Sequence, residues 1–337
     1  MNKIKLTILC TAYNHVNFIR DCLDGFVMQK TNFPFEVIIH DDASTDGTAD
    51  IIREYAKKYP DIIKPILQTE NQWSKGVKIG KTFMYPKIKG EYVAMCEGDD
   101  YWTDPYKLQK QVGFLDSHPD YSVCFHPVRV TWEDGREPDY IYPTKKQRFN
   151  KTTLEMSDLL QHNFIQTNSV VYRWRKDCND LFPDGVLPGD WYIHLLHAQV
   201  GKIGFLPDIM AVYRRNAGGI WTGALQDDKW FLKCTLPHLK FFACAEKQFN
   251  HDYHKDMVNL TSFAVADFLR NRHFEELQKI QNLYPEIYDD VLYRFTDQKD
   301  IIPLQKRTRK YKHLFNIILM ISVIELLFIG IIIGVLL

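Results

Sequence analysis

The chain of 337 residues lacks an excess of either charge: 42 Lys and Arg face 42 Asp and Glu. Its average field therefore gives no reason to expect a nucleic-acid polymer as partner. The seven cysteines, Cys10, Cys22, Cys96, Cys124, Cys178, Cys234 and Cys244, are odd in number and include no C-x-x-C pair. Several lie inside apolar runs, where a thiol packs as a small hydrophobe, and this usage points to a reducing compartment. The twelve histidines are scattered, which argues against a structural zinc site. There is no G-x-x-x-x-G-K-[ST] loop and no G-x-G-x-x-G after the first apolar run, so neither a Walker-type NTPase nor a dinucleotide oxidoreductase is supported. The first apolar core, Leu6 to Cys10, is broken by Thr7 and too short for a secretory signal. Internal repeats and low-complexity stretches are also missing.

What is present is the composition of a packed globular protein, 45% apolar and 25% charged. Along the first 130 residues the hydrophobic period switches repeatedly. "KLTILCTAY" reads as a strand, and Val16, Ile19, Leu23, Phe26 and Val27 follow at helical spacing. "FEVIIHDD" is β-branched and is followed by "ASTDGT", a loop and helix cap before Ile51, Ile52 and Tyr55. "DIIKPILQ", a helix expected around residues 76 to 85, and "EYVAMC" repeat the cycle, after which Asp104 and Pro105 suit the start of another helix. Four strands alternating with helices predict a parallel sheet covered on both faces, with ligands bound beyond the carboxyl ends of the strands.

Polar residues collect at those ends: Thr11, Tyr13 and Asn14 after the first strand, Asp41 and Asp42 after the second, and Glu97, Asp99 and Asp100 after the fourth. Carboxylates placed together repel one another unless a cation lies between them. Hard oxygen ligands favour Mg²⁺ or Mn²⁺, which bind through one or two carboxylates plus substrate phosphates.

The motifs "CTAYNH", "EVIIHDDASTDGTADII", "TENQWSKG" and "EGDDYWTDP" resemble those of the family-two glycosyltransferases, over about residues 4 to 225. The resemblance implies an α/β GT-A nucleotide-sugar-binding fold, mostly a parallel sheet flanked by helices. It implies inverting transfer from a nucleoside-diphosphate sugar, most often a UDP-sugar, with Mg²⁺ or Mn²⁺ on the diphosphate. Thr11 and Tyr13 match positions that contact the base, Asp42 matches the acid on the uracil edge, and Asn71 stands in the third motif on the donor side. Glu97, Asp99 and Asp100 match the metal and ribose-diphosphate carboxylates. In "PGDW", Asp190 matches a carboxylate that opens an acceptor-side helix and serves as the general base; a plain helix cap is the alternative.

"VYRRNAGGIW" resembles the loop that closes over the donor. Arg214 and Arg215 are then expected on phosphates, Gly218 and Gly219 at the bend, and Trp221 over the sugar; a solvated strand end is the other reading of the two arginines. Relatives commonly carry a metal-binding His where this chain has Asn216, which places that ligand in question.

The expected organisation is a GT-A domain over 1–225, a helical region over 226–305, a basic segment over 306–313 and a transmembrane helix over 314–337. The last segment holds one charge, Glu325, and its 24 residues at about 1.5 Å each reach about 36 Å, longer than a hydrocarbon core of about 30 Å. Lys306, Arg307, Arg309, Lys310 and Lys312 before it predict a single-pass C-terminal anchor with the catalytic domain in the cytoplasm. Glu325 is a tolerated side chain or a contact with another membrane helix.

The expected activity is sugar transfer to a saccharide acceptor, lipid-linked if the anchor holds. Three alternatives stand beside it. An inactive sugar-nucleotide-binding membrane scaffold is kept open by Asn216. A sugar-phosphate nucleotidyltransferase would need a Gly-rich loop that "TAYNHVNF" does not supply. A phosphatase with a D-x-D pair is disfavoured by the three residues between Asp42 and Asp46.

Overall fold

A computed structural model describes residues 3–144, 153–216, 228–249 and 252–270, with a few single positions up to 291. Contacts divide the chain into two units, Met1–Cys234 and Thr235–Leu337.

The first unit is built on an eight-stranded mixed sheet in the order β3-β2-β1-β4-β10-β6-β11-β9. Four strands, β1 (Leu6–Ala12), β2 (Phe35–Asp41), β3 (Ile63–Leu67) and β4 (Tyr92–Met95), run parallel, as the alternation of strand and helix predicts. Beyond β4 the sheet turns mixed. The short β10 (Val171–Arg173) lies antiparallel between β4 and β6 (Tyr121–Phe125). On the far side, β11 (Lys202–Phe205) runs parallel to β6 and β9 (Thr153–Leu154) closes the edge.

The central strands are buried on both faces. All seven residues of β2 are buried, and in β1 only Thr11 is exposed. Each fully buried Leu, Ile or Phe contributes about 1.5–3 kcal/mol relative to exposure, so this slab carries the fold. On one face, α1 (Ile19–Val27) turns Ile19, Cys22, Leu23 and Phe26 inward. Its Gly25 lies against the backbone of Trp102, where an added Cβ would come 2.9 Å from the amide nitrogen. Phe26 meets the Trp102 ring edge-on at 4.8 Å. α2 (Thr48–Lys58) and α3 (Lys107–Ser117) add further cover. Cys10, Cys22, Cys96, Cys124 and Cys178 are buried and unpaired, packing as small apolar groups.

A second sheet, ordered β5-β12-β7-β8, was not anticipated. It joins β5 (Tyr101–Trp102), β12 (Ala211–Arg215), β7 (Val128–Trp132) and β8 (Tyr140–Tyr142). Through β5 and β12 it binds the acidic motif to the last third of the unit.

The helix expected around residues 76 to 85 is not a continuous α-helix: only short 3-10 turns, Trp73–Lys75 and Tyr85–Lys87, and a π-helical turn, Gly80–Met84, form there. Gly76 adopts φ +78°, which ends the first turn, and Pro86 lacks the amide a continuing helix would use. Helix α3 begins at Lys107, later than Asp104 predicts, because the Asp104 carbonyl and carboxylate are used in the preceding turn.

In the second unit, the helix His254–Arg270 begins where His254 bridges the carboxylates of Glu246 and Asp290, and the hydrogen bond to Glu246 leads in raising the imidazole pKa. The expectation of a membrane-anchored, cytoplasm-facing protein is corrected: no helix among the described residues is long and apolar enough to cross a membrane. Segments 306–313 and 314–337, with Glu325, lie outside the described residues.

Candidate active site

The loops after β1 and β2 are fastened to each other. Asn14, at φ +55°, donates its amide to Ser44 Oγ at 2.9 Å and accepts the Thr45 amide on Oδ1 at 2.9 Å. His15 N–H donates to Thr48 Oγ1 at 2.8 Å, and Val16 N–H to Asp46 Oδ2 at 2.9 Å. Burial works against the Asp46 anion, but the Thr48 and Val16 donors outweigh it and hold the pKa below the ordinary value. Asp41 accepts the Ser44 amide and hydroxyl. The polar run "DDASTDGT" thus welds two strand ends into one platform.

Asp42 holds a third segment on that platform. Its Oδ1 accepts the Gln72 amide at 2.8 Å and its Oδ2 the Trp73 amide at 3.0 Å. Asn71 is engaged locally, with Oδ1 accepting the Ser74 amide at 2.7 Å. Around this point the rings of Tyr13 and Trp73 are each 46% exposed, and Thr11 is exposed beside them. Two open aromatic faces beside a carboxylate suit a planar heterocycle. Trp73 was not foreseen as part of this surface.

The acidic motif follows β4 in a tight approach to β1. Gly98 N–H donates to Thr11 O at 2.8 Å, and an added Cβ at Gly98 would stand 2.9 Å from His15 Nδ1 and 3.1 Å from Ala12 Cβ. Cys22 and Cys96 thiols both reach the Glu97 carbonyl at 3.5 Å. Behind the motif, Trp102 donates its indole N–H to Asn168 O at 2.8 Å. The buried Lys107 stands 4.1 Å over the Trp102 ring and donates to Gln111 Oε1; burial pulls its pKa down to about 7.

Two of the three carboxylates, Asp99 and Asp100, accept specific donors. Arg214 N–H donates to Asp100 Oδ1 at 2.8 Å, and its guanidinium donates to Asp99 O at 3.0 Å while pairing with Asp21 and lying 4.3 Å over Tyr101. Asn216 Nδ2 donates to Asp99 Oδ2 at 3.0 Å, and His15 Nε2 lies 4.0 Å from the same oxygen. Asp100 Oδ2 is buried without a hydrogen-bond partner. Burial, reinforced by repulsion from Asp99 and Asp190, pushes Glu97 up to about 8. Burial likewise drives Asp100 well above its ordinary value, with Asp99 and Glu97 adding to it.

These features fit a divalent cation: hard oxygens, an unpaired buried carboxylate oxygen, and repulsion that a positive charge would relieve. Among the described residues no group of three or more His, Cys, Asp or Glu side chains is arranged to hold an ion alone. A cation here would take its remaining ligands from substrate phosphate and water.

Asp190 lies near the start of α4 (Gly189–Ala198) without capping it; the cap position is Pro188. Its Oδ2 accepts from Thr167 Oγ1 at 3.3 Å and from Asn163 Nδ2 at 3.5 Å. Burial raises its pKa, and the Trp191 amide and Thr167 hydroxyl oppose the rise. Tyr142 Oη donates to Asn163 O, which ties β8 to this carboxylate. Sequence reasoning missed Asn163, Thr167 and Tyr142, which belong to no local motif.

Arg214 and Arg215 are neighbours in β12 and point to opposite faces. Arg214 belongs to the acidic cluster, whereas Arg215 lies 5.1 Å over Trp132 and 6.0 Å over Tyr140. Gly218, Gly219 and Trp221 fall outside the described residues.

A parallel half-sheet whose carboxyl ends carry a welded polar platform and an acidic turn, extended by a mixed set of strands with a further carboxylate on the helix Gly189–Ala198, defines the GT-A class of nucleotide-sugar-binding folds. The chain belongs to glycosyl transferase family 2, whose family model matches residues 7–217. An uncharacterised protein of Mycobacterium tuberculosis is 50% identical over 226 residues, spanning 67% of this chain. The match covers 63% of that relative's length. The poly(ribitol-phosphate) beta-N-acetylglucosaminyltransferase TarS of Staphylococcus aureus is 29% identical over 282 residues, 80% of this chain and 44% of the relative. Among solved structures, TarS 1-349 in complex with UDP aligns with TM-score 0.54 at 18% identity, covering 93% of this chain and 90% of that one. The mannosyltransferase PcManGT of Pyrobaculum calidifontis, in complex with GDP-Man and Mn²⁺, aligns with TM-score 0.52 at 18% identity, covering 95% and 86%.

Proposed function

We propose that the protein transfers a sugar, with inversion, from a nucleoside-diphosphate sugar to a hydroxyl of a saccharide or polyol acceptor. The observation that carries this reading is the placement of Asp190 across from the acidic turn: its charge is felt at Glu97, while Asn163 and Thr167 fix one of its oxygens. Inversion needs a base on the side of the anomeric carbon opposite the leaving diphosphate, and Asp190 is the carboxylate outside the acidic turn whose charge reaches it.

The platform of Tyr13, Asp42 and Trp73 receives the nucleobase, UDP being the expected nucleotide. Neighbours solved with UDP and with GDP-Man support a nucleoside-diphosphate donor. Mg²⁺ or Mn²⁺ held by Asp99 and Asp100 would supply Lewis-acid neutralisation of the departing diphosphate. Arg214 and Asn216 keep those carboxylates oriented. As the acceptor oxygen attacks, Asp190 takes its proton; a raised pKa makes Asp190 a stronger base than an exposed aspartate. Lipid linkage of the acceptor was inferred from an anchor and falls away with it.

The test is Asp190→Asn, assayed for transfer and for donor binding. Transfer falls by about 10²–10⁴-fold, the range for loss of a general base. Binding of UDP-sugar with Mn²⁺ stays within about twofold of the parent, since Asp190 acts in the transition state. Equal transfer by parent and variant would remove Asp190 from the mechanism, and absence of turnover in both would leave a binding scaffold.

A further inference from the structure

We infer that Arg215 is an anion-recognition residue for the acceptor, so that the acceptor is a hydroxyl-bearing chain carrying a phosphate or carboxylate group close to the reacting hydroxyl. This rests on the glycosyltransferase reading and names the chemistry of its second substrate.

The argument begins with register. In β12, Tyr213 pairs with Val130 and Arg215 with Trp132 of β7, while Val130 pairs with Tyr140 and Val128 with Tyr142 of β8. Paired residues share a face, so Arg215, Trp132, Tyr213, Tyr140 and Tyr142 stand on one side of the second sheet. All five are half-buried, on a side whose other residues, Val128, Val130 and Ala211, are buried in the core. This face reaches the catalytic base: Tyr142 Oη donates to Asn163 O, and Asn163 Nδ2 donates to Asp190 Oδ2.

On this side of the sheet the guanidinium of Arg215 rests on the Trp132 and Tyr140 rings, and among the described residues no carboxylate lies within ion-pair distance of it. Stacking occupies the face of a guanidinium and leaves its in-plane N–H groups free, the edge that matches phosphate or carboxylate in two parallel hydrogen bonds. A second donor beside it is also unanswered: Trp132 Nε1 is buried and has no acceptor. Other arginines of the described surface are matched to acids, Arg214 to Asp21, Arg136 to Asp134 and Arg129 to Asp139. Surplus N–H donors on the sheet face that also bears Tyr142 call for a substrate that brings oxygen anions.

The experiment measures binding of three oligomers of matched length to the full chain by titration calorimetry: poly(glycerol phosphate), polyglucuronate and neutral dextran. UDP with Mn²⁺ is titrated in parallel, and the variants are Arg215→Gln, Arg215→Lys and Arg129→Gln. Arg129 lies on the opposite face of β7 and controls for diffuse attraction to polyanions. One charged oligomer binds more tightly than dextran, and which one identifies the anion. Arg215→Gln weakens that oligomer by about tenfold or more, the loss of a charge-assisted pair. Arg215→Lys retains part of the affinity, Arg129→Gln retains most of it, and UDP binding is unchanged in all three. The inference is overturned if dextran binds as tightly as both charged oligomers, if Arg129→Gln weakens binding as much as Arg215→Gln, or if Arg215→Gln weakens UDP instead. Failure of the parent to bind any nucleoside diphosphate would sink the glycosyltransferase reading itself, a separate result.

Discussion

Glu97 holds its proton at neutral pH because its surroundings penalise the anion. Its pKa lies near 8 in the fold against 4.5 for the free side chain, so between those values the native state binds more protons than the unfolded chain. Stability of the metal-free protein is therefore greatest below about pH 4.5 as far as this group is concerned, and declines as pH rises toward 8. Thermal midpoints measured across that interval will fall in the parent and fall less in Glu97→Gln. A midpoint rising over the same range in the parent, with no difference from the variant, would contradict the assignment. At this scale the sequence shows the acids and is silent on their partners. That Asp42 accepts the amides of Gln72 and Trp73, and that Asp190 leans on Asn163 and Thr167, are long-range facts with no periodic trace in the chain.

Elements built from local periodicity were legible: β1 through β4 and α1 through α3 follow from apolar spacing, although no side chain caps the N-terminus of any of the three helices. The second sheet was not, because β5 has two residues and β8 has three, too few to show alternation. The segment 73–87 differs for the opposite reason, its apolar residues falling at helical spacing while Gly76 and Pro86 confine it to short 3-10 and π-helical turns. The junction of β1 with the acidic turn carries the next prediction. Gly98 leaves no room for a methyl group beside His15 and Ala12, and the contact there is 3.1 Å even to the small Ala12. Gly98→Ala will cost about 1–3 kcal/mol by overpacking. It will also lower transfer more than stability alone explains, since the turn it displaces bears Asp99 and Asp100. Denaturant melts and transfer rates compared at a temperature where both proteins are folded check this.

For the whole molecule, the family was legible from four motifs in the first unit, and within the region expected to be helical the segments Asp228–Gln248 and His254–Arg270 are helices. The basic segment and the apolar tail carried a strong expectation that the described helices do not meet. A purely compositional signal fixes neither the depth nor the partners of a segment. The global observable that tests the reading is linkage between donor and fold. UDP with Mn²⁺ at a hundred times its dissociation constant adds about 2.7 kcal/mol of apparent stability. Chelation of the Mn²⁺ removes most of that gain, because the acidic turn then meets the diphosphate unshielded. Thermal shifts with and without chelator, at fixed nucleotide, measure it; an unchanged gain would remove the cation from donor binding.

The pleat of β12 has one more consequence. Successive side chains on a strand project to opposite sides, so Arg214 and Arg215 stand in different compartments although they are bonded neighbours. Inserting a single residue ahead of Arg214 would move Arg214 into the place of Arg215 over Trp132 and leave Asp21 opposite the inserted residue. The division of labour between the two substrates is thus written in whether a residue count is odd or even, and a length change in this strand is far more damaging than most changes of residue type.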